Sequence, residues 1–473
     1  MALAEPDAAF LARLEAALGP GGLRAPEPRH LEEPRGRRRG RAAALALPAS
    51  TEAVAAAVRL CAEARVGIVP YSGGTGLVGG TTPEAGPRPI LLSLERMRAI
   101  REIDAEAGTM VAEAGAVLAE VQAAARDAGR LFPLSLASEG SARIGGLLAA
   151  NAGGVAVLRY GNARDLCLGV EAVMADGSVL HGLTRVLKDN LGYDLRHLLI
   201  GSEGTLGILT AATLRLHPLP AETAAAWLGV PDPAAALTLL GRLRDALGPA
   251  VSAFELIHRR GLEFLAEAAP EAPRPMADPP EWMALVEASE GPGTALGARL
   301  EAALAAAMEA GLVGEALVAQ NEAQRRAFWA ARETIPEANR RIGSVSSHDI
   351  ALPPSRIAAF LPRADAAIAA LDPSLRVNVF GHLGDGNLHY NVFPARGRTR
   401  ADHEALRPAV KAAVHDLVAE MGGSVAAEHG VGRLKVEDLL RYGDPAKVAA
   451  MRAIKAALDP AGVLNPGAVL PPR

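Results

Sequence analysis

The chain has 473 residues, half of them apolar and 22% charged, enough for about three cores at roughly 150 residues each, or two with elaborations. A net charge of −4 with 3% aromatics argues against binding nucleic acid by phosphate attraction or base stacking, and two cysteines, Cys61 and Cys167, cannot build a disulfide framework. No apolar run reaches the roughly 18 residues of a membrane span, and the start Met1-Ala-Leu-Ala-Glu-Pro-Asp7 lacks the basic patch of an export signal, so a soluble, cytoplasmic, multi-domain protein is expected.

Residues 7–18 place Phe10, Leu11, Leu14 and Leu18 on one helical face, and Gly19-Pro20 ends the helix. The basic run at 35–41 reads as a solvated or phosphate-adjacent loop rather than a nucleic-acid patch, because the overall charge is nearly balanced. A strand at 42–47, a helix capped by Ser50 or Thr51 and running to Ala64, and a strand at 67–70 follow. Beyond a glycine-rich loop at 72–80 come strands at 90–93 and 109–113, then a helix at 116–128. Residues 168–175 and 178–182 form a hairpin, with Asp176-Gly177 expected in a type I′ turn. The strand at 207–216 is halted by His217-Pro218-Leu219-Pro220, which we take as the main domain boundary. The second half, with a strand at 282–287, a helix near 294–310 and a strand at 376–380, reads as an α+β domain around one sheet.

Pro70-Tyr-Ser-Gly-Gly-Thr-Gly-Leu-Val-Gly-Gly80 contains a literal G-x-G-x-x-G at Gly74, Gly76 and Gly79. A nicotinamide Rossmann motif must open a helix, and Pro83, Gly86 and Pro87 forbid one here. Glycines let successive N–H groups converge on an anion, and Thr75 adds a hydroxyl. Two further patches rich in small residues, Ser141 through Ile144-Gly145-Gly146 to Asn151-Ala-Gly-Gly154, and Gly201-Ser-Glu-Gly-Thr-Leu-Gly-Ile208, imply an extended ligand with a diphosphate.

Gly381-His-Leu-Gly-Asp-Gly-Asn-Leu-His389 and Ala427-Glu-His-Gly-Val-Gly432 hold three of the eleven histidines. The Gly-Asp-Gly turn can bring the rings of His382 and His389 to one point, and with Glu428 they make a divalent-metal set with open positions. Adjacent side chains diverge on extended backbone, so His429 stays available as a base. The chain has only nine asparagines, and Asn387 and Asn391 lie in this same run.

The glycine patches resemble the FAD-binding domain of vanillyl-alcohol oxidase and p-cresol methylhydroxylase relatives. The histidine motifs, with the closing Leu458-Asp-Pro-x-Gly-x-Leu-Asn-Pro-Gly467, resemble the FAD-linked D-2-hydroxy-acid dehydrogenases over nearly the whole chain. That family includes D-lactate and D-2-hydroxyglutarate dehydrogenases and the catalytic subunit of glycolate oxidase. The resemblance implies an α+β fold: a helical extension at 1–34, a two-part FAD domain at 35–217, and a substrate domain at 218–426 built on one large antiparallel sheet. The segment 427–473 would then return to the FAD domain. It implies FAD contacts from Pro70, Ser72, Gly73, Gly74, Thr75, Gly76, Leu77, Gly79, Gly80, Ser141, Ile144, Gly145, Asn151, Gly154, Glu203, Gly204, Gly207, Ile208 and Asn465. With no His or Cys between 70 and 80 to tether it, FAD is expected to be non-covalent.

The same resemblance implies His382, His389 and Glu428 as ligands of a divalent metal, zinc in the family, and His429 as the catalytic base. It makes Arg332 a catalytic and substrate-binding residue that grips the substrate carboxylate, with Asn391 as a further substrate contact. The reaction implied is oxidation of a D-2-hydroxy acid of the D-lactate, D-2-hydroxyglutarate or glycolate class, by hydride transfer to flavin N5. The electrons would pass to an electron-transfer flavoprotein, a quinone or a partner subunit, at the inner-membrane surface where the acceptor is a quinone. A homodimer is compatible with the family. A metal-independent flavin oxidase of a sugar or phenol, and a flavin-binding subunit of an electron-transfer complex, are the alternatives. The basic run at 35–41 looks closest to the hydroxyglutarate branch, but where that branch has Thr and Lys this chain has Pro336 and Ser347-His348-Asp349. The second half of the carboxylate pocket therefore differs, and Arg340, Arg341 and His348 are the candidates to replace it.

Overall fold

Asp7 accepts a hydrogen bond from the N–H of Phe10 and starts a helix at Ala8–Leu18 that buries Phe10, Leu14 and Leu18. The computed structural model describes residues 2–36 and 38–471, so Arg37 of the basic run lies outside the described residues. The chain divides into two units. The first comprises Met1–Gly154, Gly161–Leu219 and Glu428–Arg473, and the second Val155–Tyr160 and Pro220–Ala427.

In the first unit the strands Ala44–Ala46, Ile90–Ser93 and Ile68–Tyr71 lie parallel in that order, with the short strand Leu23–Arg24 antiparallel at the edge. Both faces of a parallel sheet are covered, which is why Leu45, Ile68, Ile90 and Leu91 are all buried. The helix Thr51–Ala64, capped by the Ser50 hydroxyl, packs Val54, Val58 and Cys61 into that core. A second sheet has five antiparallel strands in the order Ile100–Asp104, Thr109–Glu113, Ile208–Arg215, Cys167–Val173 and Val179–Gly182. Its last two strands form the expected hairpin, but the turn is not type I′. Only Gly177 has positive φ (77°); Asp176 stays on the ordinary side and its carboxylate accepts from the N–H and the hydroxyl of Ser178. That side-chain turn lets a type I turn with one left-handed glycine close the hairpin.

The second unit is built on seven antiparallel strands in the order Glu315–Val318, Glu222–Val230, Trp282–Glu290, Val251–His258, Arg376–His382, Asn387–Phe393 and Ser346–Ala351. Helices Arg259–Ala268 and Glu322–Ile342 cover one face through Phe264, Phe328, Ile335, Phe380 and Phe393. On the other face, His348 of the edge strand meets His415 of helix Arg407–Glu420, ring centroids 5.1 Å apart. The architecture is α+β, with the large antiparallel sheet confined to this unit. Among the described residues no helix is long and apolar enough to cross a membrane.

Candidate active site

In the first unit, strand Ile68–Tyr71 delivers the glycine loop, and no helix forms before Ile90, as the prolines dictate. Among the described residues, the N–H groups of Gly73, Gly74, Thr75, Gly76 and Leu77 donate to no protein acceptor. The carbonyls further along the loop are held instead. Arg433 donates to Gly79 O at 3.1 Å and Gly80 O at 2.5 Å, and also to Asn465 Oδ1 and Pro466 O. Burial pulls this guanidinium down to about 10, against the opposing pull of Glu203. A run of unpaired N–H donors braced from behind by a cation is an anion cradle. Glycine is obligatory at Gly73, where a Cβ would come 2.2 Å from Ser141 O, so the loop and the 138–146 turn touch backbone to backbone. Ser72 Oγ accepts from Gly146 N at 3.1 Å across the same seam.

The remaining predicted cofactor residues lie in the same unit, each with a structural task. Ile144 and Gly145 open the helix Ile144–Ala150, and a Cβ on Gly145 would meet Ala114 Cβ at 2.7 Å. Asn151 ends that helix in the left-handed region (φ 50°), and its Oδ1 accepts from Arg164 N. Gly154 lies against Ser135 O and Gly207 against Leu199, while Ile208 starts a strand opposite Val173. Glu203 adopts φ 52° beside Gly204, and its carboxylate accepts from Val431 N at 2.7 Å and Gly432 N at 2.8 Å. Burial pushes that carboxyl up, and the two N–H groups partly oppose the push. Asn465 donates to Glu203 O at 2.7 Å and accepts from Arg433, so it braces the loop.

In the second unit, antiparallel register sets Glu255 opposite His382, His389 opposite Phe380, and Asp349 opposite His389, so these side chains share one sheet face. Glu255 is 0% exposed. One of its oxygens accepts from Arg332 Nε at 2.6 Å, and the other shares a hydrogen bond with His382 Nδ1. Burial alone would push the Glu255 carboxyl up, but the Arg332 guanidinium and the His382 ring outweigh it and bring the group from 4.5 down to about 2. Arg332 itself is 6% exposed and sits 4.8 Å above the Phe380 ring. Its Nη1 and Nη2 have no protein hydrogen-bond partner among the described residues. The His382 and His389 ring centroids are 6.0 Å apart, and Asn391, two residues beyond His389, donates to His389 O.

Glu255 belongs to none of the sequence motifs. Its signal is a single acid inside the apolar strand Val251–His258, since a buried charge must find partners. The proposed substitutes for the second half of the carboxylate pocket are corrected by the register. Ser347 shares the face of His389 and Asp349, but His348 points to the opposite face, against His415 and Tyr390. Arg340 and Arg341 are exposed and bonded to Glu337, and Arg341 also reaches Glu271. Glu428 and His429 open the segment that returns to the first unit, with Nε2 of the His 3.7 Å from the Glu carboxylate.

The chain matches two family models: "FAD linked oxidases, C-terminal domain" over residues 219–469, and "FAD binding domain" over residues 42–182. The chain belongs to the FAD-linked oxidase family. It is 39% identical to the mitochondrial D-2-hydroxyglutarate dehydrogenase of Bos taurus over 438 residues, 92% of this chain and 78% of the relative. It is 37% identical to the D-2-hydroxyglutarate dehydrogenase of Xanthomonas citri over 424 residues, 90% and 88% respectively. Among solved structures, p-cresol methylhydroxylase with substrate bound shares the fold with a TM-score of 0.77 at 16% identity, covering 98% of this chain and 96% of that one. The 4-ethylphenol oxidase of Gulosibacter chungangensis gives 0.72 at 20% identity, covering 98% and 97%. The protein is therefore an FAD-linked oxidoreductase, and its first unit has the p-cresol-methylhydroxylase type of FAD-binding fold.

The residues present fit both implied groups. The unpaired N–H run suits a diphosphate. In the second unit, a carboxylate on His382 Nδ1 leaves Nε2 as the nitrogen with the lone pair, the arrangement that orients metal-ligating histidines. A ring-centroid separation of 6.0 Å is one that two imidazoles can have on a single ion at about 2.0–2.1 Å from each nitrogen.

Proposed function

We propose that this protein oxidises a D-2-hydroxy acid to the corresponding 2-oxo acid, with FAD held non-covalently. The observation that carries the reading is Arg332: a side chain 7% exposed, tied by Nε to Glu255, with its Nη edge unengaged by protein among the described residues. Such an edge is the complement of a substrate carboxylate, which it binds bidentately.

FAD, when bound, supplies the hydride acceptor, and the protein supplies placement and charge. His382, His389 and Glu428 are the residues proposed to hold a divalent cation, zinc by resemblance to the family, whose chemistry is to lower the pKa of the substrate hydroxyl. His429 takes the hydroxyl proton as general base. Arg332 and Asn391 fix the acid so that its Cα–H is aligned for transfer. Glu255 is a positioning residue: one oxygen holds the His382 tautomer and the other aims the Arg332 edge. Reduced protein would hand its electrons to an acceptor, which we take to be an electron-transfer flavoprotein, a quinone or a partner subunit. A cytoplasmic location belongs to the same proposal; Cys61 and Cys167 are buried unpaired thiols, as a reducing compartment keeps them. Both are pushed up to about 12 by burial, which removes them as tethers for the flavin.

The test is to mix the purified chain with each enantiomer of lactate and 2-hydroxyglutarate under anaerobic conditions and follow flavin absorbance. Bleaching by a D-acid and not by its L-enantiomer is expected. Bleaching by neither would sink the proposal, and bleaching only by sugars or phenols would replace it with the oxidase alternative.

A further inference from the structure

Resting on that reading, we infer that the substrate is a monocarboxylate: a D-2-hydroxy acid whose tail is uncharged, with 2-hydroxyglutarate discriminated against. The inference comes from the row of side chains next to the histidines. Two residues along from the Phe380–His389–Asp349 row, about 7 Å away at the rise of an antiparallel strand, lies a second row. It consists of Asn378, Asn391 and Ser347, paired in that order across three strands. Helix Glu322–Ile342 overlies both rows. Arg332 stands over Phe380, and Asn339, two turns later on the same side, hydrogen-bonds Asn378 at 2.9 Å.

Every group in the second row is neutral. Asn378 Nδ2 goes to Asn339 Oδ1, Asn391 Nδ2 to His389 O, and Ser347 Oγ to Ser344 Oγ at 2.6 Å. Asn378 is 0% exposed and lies beneath Asn339, so Asn391 and Ser347 are the members of the row with any exposure. The nearby cations are engaged elsewhere. Arg376, farther along the same strand face, binds Glu267 and covers the Phe264 ring. Arg325, Arg340 and Arg341 of the helix are bonded to Glu287, Glu337 and Glu271, and Arg326 pairs with Glu322 at the surface. Asp349, one row back, accepts from Asn387 Nδ2 at 3.0 Å and lies 4.0 Å from His389 Nδ1.

A second carboxylate on a substrate tail lying along this row would therefore meet amides and a hydroxyl, and no unengaged cation of the second unit among the described residues other than Arg332. Leaving a charged group unpaired on burial costs far more than a neutral mismatch. A methyl, hydroxymethyl or amide tail meets no such penalty. Arg332, already half neutralised by Glu255, serves the carboxylate that all these acids share.

The experiment measures kcat/KM for the FAD-loaded, metal-replete protein with D-lactate, D-2-hydroxybutyrate, D-glycerate and D-2-hydroxyglutarate and a dye acceptor, beside the Ser347→Lys variant. We expect at least one uncharged-tail acid to exceed D-2-hydroxyglutarate by about 10-fold or more, the worth of one missing charged hydrogen bond. Ser347→Lys should move that ratio about 10-fold toward D-2-hydroxyglutarate. Equal or better use of D-2-hydroxyglutarate by the unmodified protein overturns the inference while leaving the proposed oxidation intact. Reduction by none of the four acids overturns the proposed function itself. Where Ser347→Lys does not fold, competitive inhibition by glutarate against butyrate carries the same test: butyrate should bind more tightly, and tighter glutarate overturns the inference.

Discussion

Replacing Glu255 by Gln should destabilise the second unit by about 3 kcal/mol, a figure reached by two routes. Lowering the carboxyl from 4.5 to about 2 corresponds to about 3 kcal/mol of interaction with the charged form. Removing one partner of a buried ion pair costs about 3–5 kcal/mol in other proteins, because the remaining charge, here Arg332, stays buried without compensation. For a unit of this size about 3 kcal/mol is a fall of roughly 6–12 °C in the unfolding temperature. The assay is calorimetry of the full chain at neutral pH, with bound metal measured alongside. Loss of the carboxylate on His382 should weaken metal retention about 10- to 100-fold. The pH dependence has a definite sign. A depressed acid stabilises fully above its unfolded value of 4.5, and the contribution is lost as pH falls toward 2, so the gap between the two proteins should narrow in that window. An E255Q protein within 1 °C of the parent at neutral pH, with metal content unchanged, would refute the reasoning.

His429→Asn should keep flavin and metal while kcat falls about 10²- to 10⁴-fold, as removal of a general base does; stopped-flow reduction reads it, and full activity would remove the base role. Arg332→Lys should raise KM more than it lowers kcat, because a point charge replaces a bidentate edge; an unchanged KM would contradict the carboxylate assignment. Gly73→Ala brings a Cβ to 2.2 Å from Ser141 O, so the purified variant should carry markedly less flavin per chain, measured by visible absorbance against protein. Parental flavin content there would show that the seam is not part of the cradle.

Much of this was readable from local chemistry. Pro83 and Pro87 excluded a helix after the glycine loop, and none forms there. The Gly-Asp-Gly turn between His382 and His389 is a hairpin loop that brings the two rings onto one face. What failed depended on partners distant in sequence. Glu255 acquires its role from Arg332, 77 residues on, and His382, 127 residues on. The face occupied by His348 follows only from the pairing of its strand with Asn387–Phe393. The short piece Val155–Tyr160 joins the second unit through contacts such as Arg159 with the Ser289 hydroxyl, and six residues carry no composition signal of that. The turn at Asp176-Gly177 missed its type because the Asp side chain competes with the backbone for the same N–H.

The claim that the histidine face prepares the substrate through a cation is tested most directly by stripping metal from the flavin-loaded protein and presenting a D-2-hydroxy acid anaerobically. The stripped protein should keep its flavin spectrum without being reduced, and adding back one equivalent of zinc should restore bleaching. Bleaching at an unchanged rate without metal would contradict the account.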